Sequence, residues 1–243
     1  MQSLGQNYTR INKKHPDAAG CVAAWPMADG PLSMRNAVSR RYNLTATSGA
    51  RAGMSRGLGH RNLTAFTYST ADSFPTPTSF SLLATHVPDQ VGGFPRELFE
   101  VNGVVFMTEI AKELSLYTVA GSFLGKSTIA MTLGLEYSLG IRYNVVTQLS
   151  SYFINGALVG NTNDGALTFS STVLSVGGGG FRNSGSGTIR DIRIYHRAMP
   201  DITFSRYYLD PNSFYVRSRR RVLKGVSFNG GRMMPFLHPY LTS

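Results

Sequence analysis

The chain has 243 residues, 42% hydrophobic and 15% charged, which is enough apolar material for a packed core and excludes an intrinsically disordered protein. Its single cysteine, Cys21, excludes an intramolecular disulfide framework and a zinc site built from several cysteines. The net charge of +11 favours anionic partners. Neither a secretory signal nor an apolar run approaching the roughly 20 residues of a membrane-spanning helix is recognisable, so the sequence predicts a soluble protein.

A polar and basic arm precedes the first predicted strand. The arm covers residues 1–19 and includes Lys13 and Lys14, and the apolar run at residues 20–27 contains Trp25 and predicts a buried strand. Further strands are predicted at residues 42–47, 62–69, 78–87, 98–101, 104–108, 114–119, 128–133, 143–147, 151–154, 157–159, 172–176 and 188–195, with a loop at residues 48–59. Short strands separated by turns at intervals of about 8 to 12 residues are typical of a β-sandwich or barrel.

Two Asn-Gly pairs mark tight hairpins, and one segment favours a helix. Asn102-Gly103 and Asn155-Gly156 each lie between apolar runs, and Asn-Gly is the dipeptide that most favours a two-residue hairpin turn. Residues 200–209 begin with proline and aspartate, which suit the first turn of a helix. The sequence therefore predicts an all-β domain with one short helix near its end.

Four segments of the chain resemble a known family. They are residues 12–27 (NKKHPDAAGCVAAWPM), 152–160 (YFINGALVG), 187–199 (GTIRDIRIYHRAM) and 206–211 (RYYLDP). In this order they are similar to the start, the hairpin, the closing strand and the end of LamG-like, concanavalin A-like jelly-roll proteins of bacteriophage type. The resemblance implies an antiparallel jelly-roll β-sandwich, in agreement with the strand pattern.

The predicted organisation is one concanavalin A-like jelly-roll β-sandwich with extended N- and C-terminal arms. The sandwich covers residues 20–210, between the arm at residues 1–19 and a tail at residues 211–243. The tail carries six arginine and lysine residues, several aromatic residues and no acidic residue. It is too apolar for a purely solvated arm, so docking on a neighbouring subunit is preferred over nucleic-acid binding. Candidate anchoring residues are Lys13, Lys14, Arg217, Arg219, Arg220, Arg221, Lys224, Phe228 and Phe236.

The sequence contains no catalytic motif in the structural context that the motif requires. Laminarinase-like relatives of this fold hydrolyse glycans with paired carboxylates that alternate on one strand. Glu97 and Glu100 are three residues apart, a spacing that predicts opposite faces of a regular strand. The G-x-S-x-G match at residues 53–57 and the phosphate-loop-like residues 120–127 lack the required strand and helix context, so both are attributed to chance. The sequence thus predicts no catalytic residue and no enzyme.

No cofactor is predicted from the residues. The family resemblance alone suggests calcium. Family members that bind calcium use clustered acidic side chains, and the sequence shows no such cluster. Arg190 occupies the position of the first aspartate of the family's closing strand, and Gln148 and Ser150 stand where acidic residues are common. We therefore predict no metal site.

The leading functional hypothesis is a virion structural protein of a phage, a capsid decoration or head-fibre accessory protein that binds the shell through its terminal arms. Its partners would be the major capsid protein or other virion proteins, with self-association left open, and it would be assembled in the host cytoplasm. Nucleic acid and membranes are not expected as partners. The alternative is a carbohydrate-binding, lectin-like module for attachment to host glycans, although the single tryptophan, Trp25, is assigned to the core.

Overall fold

The structure is a computed structural model. It describes residues 8–26, 33–48, 51–53, 57–60, 67–88, 96–108, 113–118, 120–169, 172–177 and 187–217. Most of the predicted strand at residues 62–69, the middle of the G-x-S-x-G segment and the tail beyond residue 217 lie outside the described residues.

Strands make up most of the described chain. They are β1 (Tyr8–Ile11), β2 (Cys21–Trp25), β3 (Ser33–Met34), β4 (Leu44–Ser48), β5 (Arg51–Gly53), β6 (Gly57–His60), β7 (Thr67–Thr70), β8 (Phe80–Val87), β9 (Arg96–Val101), β10 (Val104–Thr108), β11 (Glu113–Thr118), β12 (Phe123–Ala130), β13 (Tyr137–Asn144), β14 (Leu149–Ile154), β15 (Ala157–Asn163), β16 (Leu174–Val176), β17 (Gly187–Tyr195) and β18 (Tyr215–Arg217). The helix α1 spans Asp201–Leu209, and 3₁₀ turns lie at Pro16–Ala18 and Pro211–Phe214.

Within the described residues these strands form two large antiparallel sheets and one small one. The order in the first sheet is β12-β11-β10-β9-β16-β7-β4-β3. The order in the second sheet is β15-β14-β13-β8-β17-β6-β5, with β2 also paired to β17, and β1 pairs with β18 in the small sheet. The predicted all-β sandwich is confirmed.

The inner faces of the two large sheets enclose the main hydrophobic core. Trp25 is fully buried there, as predicted, and its indole N–H donates to the carbonyl of Tyr42 at 3.0 Å. Phe80 of the second sheet packs against Phe106 of the first sheet and against its neighbour Tyr143, with ring centroids 5.9 Å apart in both pairs. Aromatic packing across the core therefore joins the sheets.

Both predicted hairpins are confirmed by their backbone conformation. Asn102 and Gly103 have φ values of 53° and 85°, and Asn155 and Gly156 have φ values of 50° and 77°. Positive φ at both central residues defines the type I′ turn, which asparagine and glycine adopt at the lowest cost. The second hairpin places β15 beside β14 and so sets the edge of the second sheet.

The helix α1, predicted at residues 200–209, lies on the outer face of the second sheet. Its Phe204 ring stacks on Phe153 of β14 with ring centroids 3.8 Å apart. Phe204 also covers Gly140 of β13 so closely that a Cβ built there would meet the ring at 2.3 Å. A glycine within β13 therefore provides the space in which the helix packs.

The two ends of the described chain pack near this helix. The carboxylate of Asp17 is buried, accepts a hydrogen bond from Thr203 at 2.8 Å and pairs with Arg206 at 3.2 Å. In the small sheet, Tyr8 pairs with Arg217. The division into arm, sandwich and tail stays a prediction, although part of each end is ordered against the sandwich.

Three strand predictions are corrected by the structure. The loop predicted at residues 48–59 contains β5 and β6, which pair with each other. β12 begins at Phe123 rather than residue 128, and β13 begins at Tyr137 rather than residue 143. Glycines in these segments resemble turn signals in the sequence, whereas in the structure Gly125 and Gly140 lie within strands where another side chain approaches the backbone.

Candidate functional site

An open groove of about 480 Å³ lies on the outer face of the second sheet, where β13, β14 and β15 meet the segment that precedes α1. We call it the outer groove. Its lining residues are Arg142, Asn144, Thr147, Leu149, Ser151, Leu158, Asn161, Ala198, Met199 and Pro200.

Strand alternation aims the β13 side chains of the groove outward. Ile141 and Tyr143 belong to the core between the sheets, so Arg142 and Asn144 project from the opposite face. The helix α1 covers only part of that face, through Phe204. The groove thus lies on the part of the outer face next to the beginning of the helix.

Arg142 is the most firmly held side chain of the groove. One terminal nitrogen, Nη1, donates to the carbonyl of Met199 at 3.1 Å and forms an ion pair with Asp201, and Nη2 donates to Ser151 Oγ at 3.1 Å. The guanidinium also lies 5.2 Å from the centroid of the Phe153 ring. These contacts fix the orientation of Arg142 before any ligand binds.

The turn between β13 and β14 contributes Thr147 to the groove. Asn144 Oδ1 accepts a hydrogen bond from the Val146 amide at 2.9 Å, and the Val145 amide donates to Ser79 Oγ at 3.0 Å. Val146 itself is 86% exposed. Two side chains therefore fix the backbone of this turn while its own side chains face solvent.

The lining combines hydrogen-bonding groups with exposed apolar surface. The Asn161 side chain carries amide donors and an acceptor, the Asn144 side chain adds its NH₂ donors, and Thr147 adds an exposed hydroxyl. Leu149 and Leu158 are 36% and 45% exposed. A ligand that carries both hydroxyl groups and C–H surface would find a partner for each in this groove.

A second constellation lies on the first sheet and corrects the sequence analysis. Along β9, Glu100 pairs with Val105 and Glu97 pairs with Met107, while the register skips Leu98. Because Val105 and Met107 are two residues apart on β10, their partners lie on one face of the sheet. The prediction that Glu97 and Glu100 lie on opposite faces is wrong, because a β-bulge adds one residue between them.

Burial and the neighbouring carboxylate change the acidity of Glu100. Burial, and to a lesser extent the charge of Glu97, raises the pKa of Glu100 to about 7. Such a pair holds one carboxyl protonated near neutral pH, which is the state of a general acid. Glu97 and Glu100 are only 0% and 5% exposed, so neither faces an open cleft.

The predicted anchoring residues are placed only in part. Lys13 and Lys14 are exposed in the turn before Pro16–Ala18, and neither lines the outer groove. Arg217 ends β18. Arg219, Arg220, Arg221, Lys224, Phe228 and Phe236 lie outside the described residues, so the anchoring role stays a prediction.

The described residues do not fit the calcium that the family resemblance implies. Within them, no group of three or more histidine, cysteine, aspartate or glutamate side chains could hold a metal ion. In the same part of the chain, no helix is long and apolar enough to cross a membrane.

Sequence reasoning missed the residues of the outer groove. Arg142 and Asn161 look like ordinary solvent-facing positions of two strands, and Met199 follows the closing strand about 57 residues after Arg142. Periodicity indicates which face of a strand a side chain occupies. It does not indicate which distant segment closes a groove over that face.

Comparison with solved structures shows which folds the chain resembles. The sialidase of Trypanosoma rangeli matches with a TM-score of 0.61 at 13% identity, over 81% of this chain and 33% of its own. Domain 4 of the extracellular arabinanase AbnA from Geobacillus stearothermophilus, in complex with arabinotriose, matches with a TM-score of 0.61 at 13% identity, over 76% of this chain and 96% of its own. The fold is an antiparallel jelly-roll β-sandwich, like that of these neighbours.

A pentraxin is also similar to the chain in fold. The SAP-like pentraxin of Limulus polyphemus matches with a TM-score of 0.50 at 17% identity, over 62% of this chain and 78% of its own. No protein-family model and no curated protein sequence matches the chain. None of these comparisons bears on a phage origin or a virion role, which stay predictions.

The exclusion of an enzyme is overturned by these comparisons. It relied on the absence of laminarinase-type carboxylates, yet sialidases are enzymes and share this fold. The prediction that the chain is not an enzyme is therefore wrong. The chain spans about a third of the length of those sialidases, at identities that establish the fold alone.

Proposed function

We propose that this β-sandwich binds oligosaccharides in the outer groove, the lectin-like role that the sequence analysis kept as its alternative. The observation that carries the proposal is the lining of the groove, in which amide and hydroxyl side chains surround exposed leucines. Sugar rings present hydroxyl groups on their edges and C–H groups on their faces. The groove offers a partner for each.

Two further observations support this proposal. The groove is open to solvent and about 480 Å³ in volume, which lies within the usual size range of small-molecule sites. Domain 4 of the arabinanase has the same fold over 96% of its length and was solved with arabinotriose bound. This similarity in fold makes arabinotriose, a neutral trisaccharide, the first ligand to titrate into the protein.

Removing groove contacts is expected to weaken the binding of oligosaccharides. We expect Asn161→Ala and Leu158→Ala each to weaken the binding of arabinotriose, or of the best ligand of a neutral oligosaccharide panel, by about five- to tenfold. The first change removes hydrogen bonds, and the second removes apolar contact. Isothermal titration calorimetry provides the dissociation constants.

A matched asparagine controls for nonspecific effects. Asn212 is exposed beyond the far end of α1 and does not line the groove, so Asn212→Ala should leave the affinity unchanged. Thermal melting verifies that each variant is folded. Unchanged affinity in both groove variants, for a ligand that binds the unmodified protein, would exclude the outer groove as the binding site.

A further inference from the structure

The charge of the outer groove comes from one side chain. Of its lining residues, Arg142 is the one that carries a formal charge, and its side chain is 20% exposed. Asp201, the ion-pair partner of Arg142, begins α1 beside the groove. The groove therefore holds one cation in its lining, and the counter-ion of that cation, Asp201, lies beside the groove.

Arg142 is pre-organised for an anion. Its contacts with Met199, Ser151 and the Phe153 ring hold the guanidinium in one orientation. An arginine fork binds a carboxylate through two parallel hydrogen bonds, and a fork already held in place loses less conformational entropy on binding.

Asp201 does not block such a ligand. Its side chain is 60% exposed, so water competes for the Asp201 carboxylate and weakens its hold on Arg142. A carboxylate of the ligand would replace Asp201 as the partner of Arg142. The ligand would also gain further contacts with the groove. Displacement of Asp201 would free a proton of Nη1 for an incoming anion.

We propose that the outer groove selects oligosaccharides that carry a carboxylate, such as uronic acid residues, with Arg142 as the specificity-determining residue. This inference rests on the proposed function and assigns its ligand class. The net charge of +11 attracts anionic glycans from a distance, and Arg142 distinguishes the acid from a neutral sugar of the same shape.

Two ligands that differ only in whether their carboxyl groups are free or methyl-esterified test the proposal. Trigalacturonic acid and its fully methyl-esterified form are titrated into the protein at 25 °C and at about 150 mM salt, which screens distant charges. We expect the free acid to bind about tenfold more tightly than the ester.

Variants of Arg142 assign that preference to one side chain. Arg142→Gln should abolish the preference for the acid, and Arg142→Lys, which keeps the charge but loses the fork, should retain only part of it. The control Arg40→Gln removes the same charge from an exposed position outside the groove and should leave the preference intact. Asp201→Asn, which removes the competing carboxylate, should strengthen binding of the acid several-fold and leave the ester unaffected.

The outcomes separate this inference from the proposed function. If neutral oligosaccharides bind the groove and the acid gains no affinity over its ester, the inference is wrong and the proposed function stands. A preference for the acid that survives Arg142→Gln also overturns the inference, since it assigns the effect to overall charge. If no oligosaccharide of either kind binds, the proposed function fails and the inference fails with it.

Discussion

Replacement of Arg193 by methionine is expected to lower the free energy of unfolding by about 3 to 5 kcal/mol, because it leaves a charge without its partner in a largely buried site. The Arg193 side chain is 2% exposed and pairs with Asp191 at 2.7 Å. Its guanidinium lies 4.6 Å, 4.1 Å and 5.2 Å from the ring centroids of Tyr207, Phe214 and Tyr215. One cation therefore joins the closing strand to α1, the following 3₁₀ turn and β18.

A double-mutant cycle separates the ion pair from the packing. Asp191→Asn alone removes the anion, and asparagine tolerates the positive φ of 49° at this position. Asp191→Asn combined with Arg193→Met should be less destabilising than the sum of the two single changes, because neither charge is then left alone. Urea unfolding measures the free energy of unfolding of each single variant and of the double variant. A loss below about 1 kcal/mol for Arg193→Met would contradict this role of Arg193.

Raising the pH from 4.5 to 7 is expected to weaken the fold through Glu100. Glu100 holds its proton up to a pKa of about 7 in the folded state, whereas the ordinary pKa of glutamate is 4.5. The folded state therefore binds more protons than the unfolded state in this range, and the stabilisation present below pH 4.5 is lost as the pH rises to 7. We expect a decrease of about 2 kcal/mol in the free energy of unfolding from this group.

Glu100→Gln isolates this contribution. The amide remains neutral at every pH, so the variant should lack this decrease and be more stable than the unmodified protein at pH 8. His15 and His196, whose pKa burial lowers, favour the fold as the pH rises, so the difference between variant and unmodified protein is the quantity to compare. Glu97→Gln should reduce the decrease by removing the neighbouring charge. If the free energies of unfolding of Glu100→Gln and of the unmodified protein changed equally with pH, the assignment of the decrease to Glu100 would be refuted.

Local chemistry explains what the sequence predicted correctly. Asn-Gly turns depend on the conformations open to two adjacent residues, so both hairpins were predictable, and apolar runs with turn signals were sufficient for the all-β class. Trp25 was assigned to the core from the apolar residues around it. These features require no knowledge of distant segments.

Tertiary contacts explain what the sequence did not predict. The bulge that aligns Glu97 with Glu100 depends on the register between β9 and β10. Phe214 and Tyr215 belong to the predicted tail, whose aromatic residues are expected to dock on a neighbouring subunit. In the structure they are only 0% and 5% exposed, because they pack against the sandwich of their own chain. Side chains that pack around a buried arginine have no signature in sequence spacing.

The two sheets differ in how open their polar groups are to a ligand. The second sheet carries the open groove on its outer face, and the first sheet carries a buried acid pair. The groove is open to solvent and holds a fixed guanidinium, whereas the Glu97 and Glu100 side chains are buried. Binding in the groove is therefore the function that we propose for this molecule.

Backbone amide chemical-shift mapping tests that claim most directly. The isotopically labelled protein is titrated with arabinotriose and trigalacturonic acid, and shifts are followed residue by residue. The proposed function predicts saturable changes that cluster on residues 142–151, 158–161 and 198–199 and that weaken in Asn161→Ala. Changes centred elsewhere on the sandwich, or none at millimolar concentrations of either ligand, would contradict it.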